Sequence, residues 1–63
     1  MYKLERKNST SGVWEEVMLS PFNTRDEVSL YHKKYSKYYS VEDRTYRVTN
    51  LETGGMKVIR PNA

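Results

Sequence analysis

Apolar and charged side chains alternate at the start of the chain, in Tyr2-Lys3-Leu4-Glu5-Arg6-Lys7, the period of two that marks a strand with one face in water. Small turn formers follow, Asn8-Ser9-Thr10-Ser11-Gly12, and β-branched and aromatic content resumes in Val13-Trp14-Glu15-Glu16-Val17-Met18-Leu19. The pattern predicts a hairpin over residues 2–19. It is closed by Ser20-Pro21, because proline can donate no ladder hydrogen bond.

The period then changes. Thr24-Arg25-Asp26-Glu27 has the spacing of a capping box, in which the Thr24 hydroxyl takes one orphan amide and Glu27 reaches back to another. A helix over residues 24–39 follows, with Asp26 and Glu27 at the positive end of its dipole and Lys33, Lys34 and Lys37 toward the negative end. At helical spacing Thr24, Val28, Tyr31, Tyr35, Tyr38 and Tyr39 share one sector, the expected core face. Asp26, Leu30, Lys33, Lys34 and Lys37 lie opposite, so a leucine sits oddly among lysines, and His32 falls at the boundary. Alternation returns in Thr45-Tyr46-Arg47-Val48-Thr49-Asn50 and, less cleanly, in Met56-Lys57-Val58-Ile59-Arg60. Gly54-Gly55 between them can supply the positive φ of a turn, giving a second hairpin over 45–60 and a short tail, 61–63.

The expected architecture is α+β: a ββαββ chain forming a mostly antiparallel four-stranded sheet, with one amphipathic helix on one face. A single helix covers only one face, which leaves the other open to solvent or to a partner. If Tyr2, Leu4, Val17, Leu19, Tyr46, Val48 and Val58 point toward the helix, then Lys3, Glu5, Trp14, Glu16, Met18, Arg47, Thr49, Lys57 and Ile59 point away. Trp14, Met18 and Ile59 then make an apolar centre rimmed by Lys3, Glu16, Arg47 and Lys57, as at an interface. A slip of one residue in the second strand would instead bury Trp14 and Met18 as ordinary core, and the sequence leaves both registers open.

Composition narrows the functions available. A chain of 63 residues makes one domain of modest stability, and without cysteine it has neither disulfide nor thiolate metal site. Six tyrosines, one tryptophan and one phenylalanine must supply much of the core. One histidine builds no metal cluster, and no carboxylate lies three or four residues from His32 on the helix to orient it as an acid or base. Glu15 and Glu16 are strand neighbours on opposite faces, so they cannot act as a carboxylate pair. Gly54-Gly55 sits in a hairpin rather than before a helix, so no phosphate loop is present. The reading is a non-enzyme without cofactor, metal or small-molecule substrate. Nothing resembles a signal peptide or membrane span, and a cytoplasmic, soluble protein is expected.

Net charge is +3, and the excess is concentrated where Lys33, Lys34 and Lys37 stand with no acid between 28 and 40. Rings and lysines interleave in Tyr31-His32-Lys33-Lys34-Tyr35-Ser36-Lys37-Tyr38-Tyr39, a mixture that single-stranded nucleic-acid binders also use. On a helix the tyrosines are expected inward and the lysines outward, leaving a lysine ridge around Leu30 that could meet phosphates or an acidic protein surface.

The layout of Tyr2-Lys3-Leu4-Glu5, Gly12-Val13-Trp14-Glu15-Glu16-Val17, Phe22-Asn23-Thr24-Arg25-Asp26-Glu27-Val28 and Tyr46-Arg47-Val48-Thr49-Asn50-Leu51-Glu52-Thr53-Gly54-Gly55 resembles the short ββαββ proteins that tailed bacteriophages encode among their early and accessory genes. The resemblance implies a phage product that binds and inhibits or redirects a host protein, and no functional residue carries over with it. The expected function is therefore a protein-binding module, with a host protein or a second copy as partner, through Trp14, Met18, Ile59, Arg47 and Leu30. The alternative is nucleic-acid binding through Lys33, Lys34 and Lys37.

Overall fold

The computed structural model describes residues 1–61, so Asn62 and Ala63 of the expected tail lie outside the described residues. Strands β1 (Tyr2–Lys7) and β2 (Trp14–Glu16) are followed by helix α1 (Arg25–Tyr35), two short 3-10 turns, and strands β3 (Tyr46–Asn50) and β4 (Met56–Ile59). The α+β, ββαββ reading holds. All pairings are antiparallel, in the order β2-β1-β3-β4, so the first strand lies between its own hairpin partner and the first strand of the second hairpin.

Each helix boundary has a local cause. Thr24 is the N-cap, its Oγ1 accepting from the Glu27 N–H at 3.2 Å, while Glu27 Oε2 accepts from Asn23 N–H at 3.3 Å, one residue earlier than a strict capping box places it. The helix ends at Tyr35 rather than running to 39, because Ser36–Tyr38 winds as a 3-10 turn. Its tighter winding carries Tyr38 out of the inward sector, and Tyr39 is extended. Tyr38 is 72% exposed, and Tyr39 also faces solvent.

The core consists of Leu4, Phe22, Val28 and Tyr46, with Tyr2, Val17, Tyr31, Val48 and Ile59 packed around it. Burying each of these side chains contributes about 1.5–3 kcal/mol, so four of them hold together a domain that is only a few kcal/mol stable. Phe22 arrives by a device specific to this chain. After β2 the backbone turns through Ser20-Pro21 and comes back to β1, where Tyr2 and Phe22 exchange both backbone hydrogen bonds at 2.7 Å. Between them the Ser20 hydroxyl replaces a ladder carbonyl: it accepts the Leu4 N–H at 3.0 Å and donates to Glu16 Oε2 at 2.7 Å.

Three positions in the predicted faces are reversed. Tyr46 faces the helix and pairs directly with Ile59, and opposed residues share a face, so Ile59 packs on the core instead of the open side. By the same pairing Val58, opposite Arg47, points away, and Lys57, opposite Val48, lies on the helix side. The error arose because both parities of Met56-Lys57-Val58-Ile59 contain apolar residues, so the strand's own pattern does not choose a face. No helix among the described residues is long and apolar enough to cross a membrane.

Candidate functional site

On the face away from the helix, Trp14 points outward, one of the two registers the sequence left open, but not beside Met18 and Ile59. Ile59 is on the other face, and β2 ends at Glu16, which leaves Met18 in a turn at 93% exposure. Trp14 instead carries the Arg47 guanidinium 4.4 Å above its ring. Arg47 is itself bound: its Nε and Nη2 reach Glu5 Oε1 at 2.9 and 2.8 Å, and Lys3 Nζ stands 3.8 Å from Oε2. Glu5, expected to be exposed, is only 6% exposed beneath this layer. The open face is therefore closed by a stacked charge network rather than by an apolar patch, and Arg47 is an internal partner rather than a free rim charge.

The apolar surface lies along the helix. Leu30 and Leu19, 68% and 60% exposed, line one cleft of about 290 Å³ with Phe22, Tyr31 and Tyr35, and Glu27 and Lys34 stand at its edges. Leu19 was expected to point inward from a strand; the turn before Pro21 leaves it exposed and lining the same cleft as Leu30. Aromatic rings continue the surface in a row, with centroids 5.4 Å apart from Phe22 to Tyr31, 4.6 Å from Tyr31 to Tyr35, and 6.3 Å from Tyr35 to Tyr38. The lysines are not segregated from these rings. Lys34 Nζ lies 5.3 Å from the Tyr35 ring centre and Lys37 Nζ 5.6 Å from that of Tyr38, while Lys33 is exposed.

Of the residues singled out from the sequence, the structure thus brings Leu30, Lys34 and Lys37 onto one surface and separates Trp14 and Arg47 from Met18 and from Ile59. Leu19, Phe22, Tyr31 and Tyr35 were missed as members of that surface. The only available signal was an unexplained leucine on the polar helix face, with a second one just before the Ser20-Pro21 break.

His32 packs edge-on against the Tyr46 ring at 4.8 Å between centroids, and burial pushes its pKa below the ordinary value. It is half-buried, as its boundary position on the helix implies. No group of three or more His, Asp or Glu side chains that could hold a metal occurs among the described residues.

No protein-family model, curated protein or solved structure matches the chain.

Proposed function

We propose that the protein is a non-enzymatic binding module that docks on another protein through the cleft of Leu19, Leu30, Tyr31 and Tyr35. The observation that carries this reading is the pair of exposed leucines lining one cleft with Phe22, Tyr31 and Tyr35. Two exposed leucines on a domain with so small a core reduce solubility for no structural return, whereas a partner's apolar side chain would fill the cleft. Lys34 at its border, with Lys33 and Lys37 exposed on the same helix, favours a partner with acidic groups around that anchor. The residue inventory, with one histidine and no cysteine, supports the non-enzymatic part. The resemblance to small phage ββαββ proteins supports a host protein as partner, met in the bacterial cytoplasm.

The test is capture from bacterial lysate by the wild type, Leu30→Asp and Trp14→Ala, with the captured protein identified and its affinity then measured in purified form. Leu30→Asp is expected to lose the partner and Trp14→Ala to keep it. Equal affinity for Leu30→Asp overturns the reading.

A second reading is favoured by one observation, the exposure of Tyr38 beside Lys37, next to the half-buried Tyr35 beside Lys34. Rings with adjacent cations suit single-stranded nucleic acid, for which stacking contributes about 1–3 kcal/mol per base. This reading predicts oligonucleotide affinity that falls steeply with salt and weakens in Tyr38→Ala and Lys37→Ala. A flat salt response removes it.

A further inference from the structure

On the far flank of the helix the sheet is incompletely covered. Helix α1 packs chiefly on β1, and a cleft of about 400 Å³ opens between the helix and the second hairpin. Val28, Val48 and Ile59 form its floor, and Arg25 and Lys57 flank it. No acidic residue lines this cleft, and neither cation makes an ion pair among the described residues. Arg25 instead leans over the Tyr2 ring at 5.8 Å.

Strand β4 borders the cleft and ends the sheet. The hydrogen-bond alternation gives the direction of its backbone groups. Lys7 N–H donates to the Thr45 carbonyl and Leu51 N–H to the Met1 carbonyl, whereas Asn50 N–H donates to the Gly55 carbonyl. Odd residues of β3 therefore bond toward β1 and even ones toward β4. Their partners Lys57 and Ile59 bond inward, and Met56 and Val58 turn their N–H and C=O groups to the free edge. An inward-pointing lysine next to an edge is a device against self-pairing, because a second copy docked on β4 would bring its own Lys57 and Arg25 to the same place. The same two cations attract a strand of opposite charge.

We propose that β4 is a strand-addition site for an extended acidic peptide, which pairs through its backbone with Met56 and Val58 and directs carboxylates to the mouth of the cleft between Arg25 and Lys57. This surface is separate from the Leu30 cleft and does not depend on it.

The probe is a capped peptide of alternating valine and glutamate, titrated into the full chain and followed by backbone amide NMR, with the valine–lysine peptide as control. The acidic peptide is expected to shift and protect the Met56 and Val58 amides, and the lysine peptide to leave them unchanged. Val58→Pro deletes an N–H that the native ladder does not use, so the fold is retained while affinity falls at least about tenfold. Lys57→Glu gives a similar loss without touching the backbone, and Leu30→Asp leaves the affinity unchanged. Undiminished binding by folded Val58→Pro or by Lys57→Glu overturns the proposal. So do equal binding of the lysine peptide, shifts centred on Leu30 and Tyr35, or no shift at about 1 mM peptide. Because Leu30→Asp affects only the other cleft, failure of either surface leaves the other standing.

Discussion

The two hairpins are turned by the same chemistry. In the first tip, Asn8 N–H donates to the Val13 carbonyl, Gly12 N–H to the Asn8 carbonyl, and Asn8 Oδ1 accepts from Thr10 and Ser11. In the second, Asn50 N–H donates to the Gly55 carbonyl, Gly54 N–H to the Asn50 carbonyl, and Asn50 Oδ1 accepts from Glu52 and Thr53. Ser11 and Thr53 then accept from Val13 and Gly55, and the glycines take φ of 74° and 78°. The surroundings differ. Asp43 Oδ1 accepts from both the amide and the hydroxyl of Ser9, and Arg6 stands 3.8 Å from that carboxylate, so the first tip is tied to the loop before β3. Among the described residues the second tip is tied to the start of the chain, through Leu51 N–H to the Met1 carbonyl and Glu52 near the terminal ammonium. Turn formation is local and can be repeated; anchoring is tertiary and differs, the first tip being held by the Asp43 carboxylate and the second by the first residue of the chain. Each hairpin carries one edge of the sheet, β2 in the first and β4 in the second.

The two hairpins depend on each other most through β1, which pairs with both β2 and β3. Leu4→Ala removes a fully buried side chain at about 2–5 kcal/mol, comparable to the whole stability of so small a domain. Urea denaturation should show a chain largely unfolded at 25 °C, with amide protection gone from both hairpins together. Protection surviving in β3 and β4 alone would mean that the hairpins are separate units. A smaller effect tests whether the tips are equivalent. An added Cβ at Gly12 or Gly54 meets no atom within 4 Å, so alanine at either costs only the left-handed backbone, about 1–2 kcal/mol. The two losses should agree within about 0.5 kcal/mol, and a larger gap in denaturation midpoints would show that context already strains one tip.

The repeated turn was legible in Asn8-Ser9-Thr10-Ser11-Gly12, where every residue is a turn former, and hidden in Asn50-Leu51-Glu52-Thr53-Gly54, where Leu51 and Glu52 occupy positions whose side chains make no turn contact. Gly54-Gly55 drew attention as a pair, yet only Gly54 takes positive φ. The helix start was readable because the Thr24 cap is made by neighbours in sequence. Its end was not, since a 3-10 turn keeps the same residues at a different angle. Of the candidate surface, Leu30 stood out as an apolar residue on a polar face. Its partners Leu19 and Phe22 did not, because their proximity depends on the return of the chain to β1 after Pro21.

Acid should act on the two hairpins differently. Burial holds the His32 pKa below 6.5 in the folded protein, so the unfolded chain takes up the proton first. Stability from neutral His32 is fully present above about pH 6.5 and is lost as pH falls through the folded value. His32 rests on Tyr46 of β3, so the loss should appear as a lower urea midpoint at about pH 5.5 than at pH 7.5. His32→Phe should remove most of that difference, and an equal difference in the variant would place its source elsewhere.

The smallest effect is confined to one tip. Hydrogen bonds from the Ser9 hydroxyl, then from Ser40, hold the Asp43 pKa below its usual 3.8. That contribution is present above about pH 3.8 and lost as pH falls through the lowered value, beneath the window of His32. Asp43→Ala removes it at neutral pH. Hydrogen exchange should then accelerate at the Ser9 amide, which donates to Asp43, while the Gly12 amide, which donates to the Asn8 carbonyl, keeps its protection, as should Gly54 in the other hairpin. An unchanged Ser9 would show that the anchor does not hold the tip. If Gly12 opened along with Ser9, the Asn8 turn would need the Asp43 carboxylate, which among the described residues has no counterpart hydrogen-bonded to the Asn50 turn, and the two tips would share a geometry without sharing the cause of it.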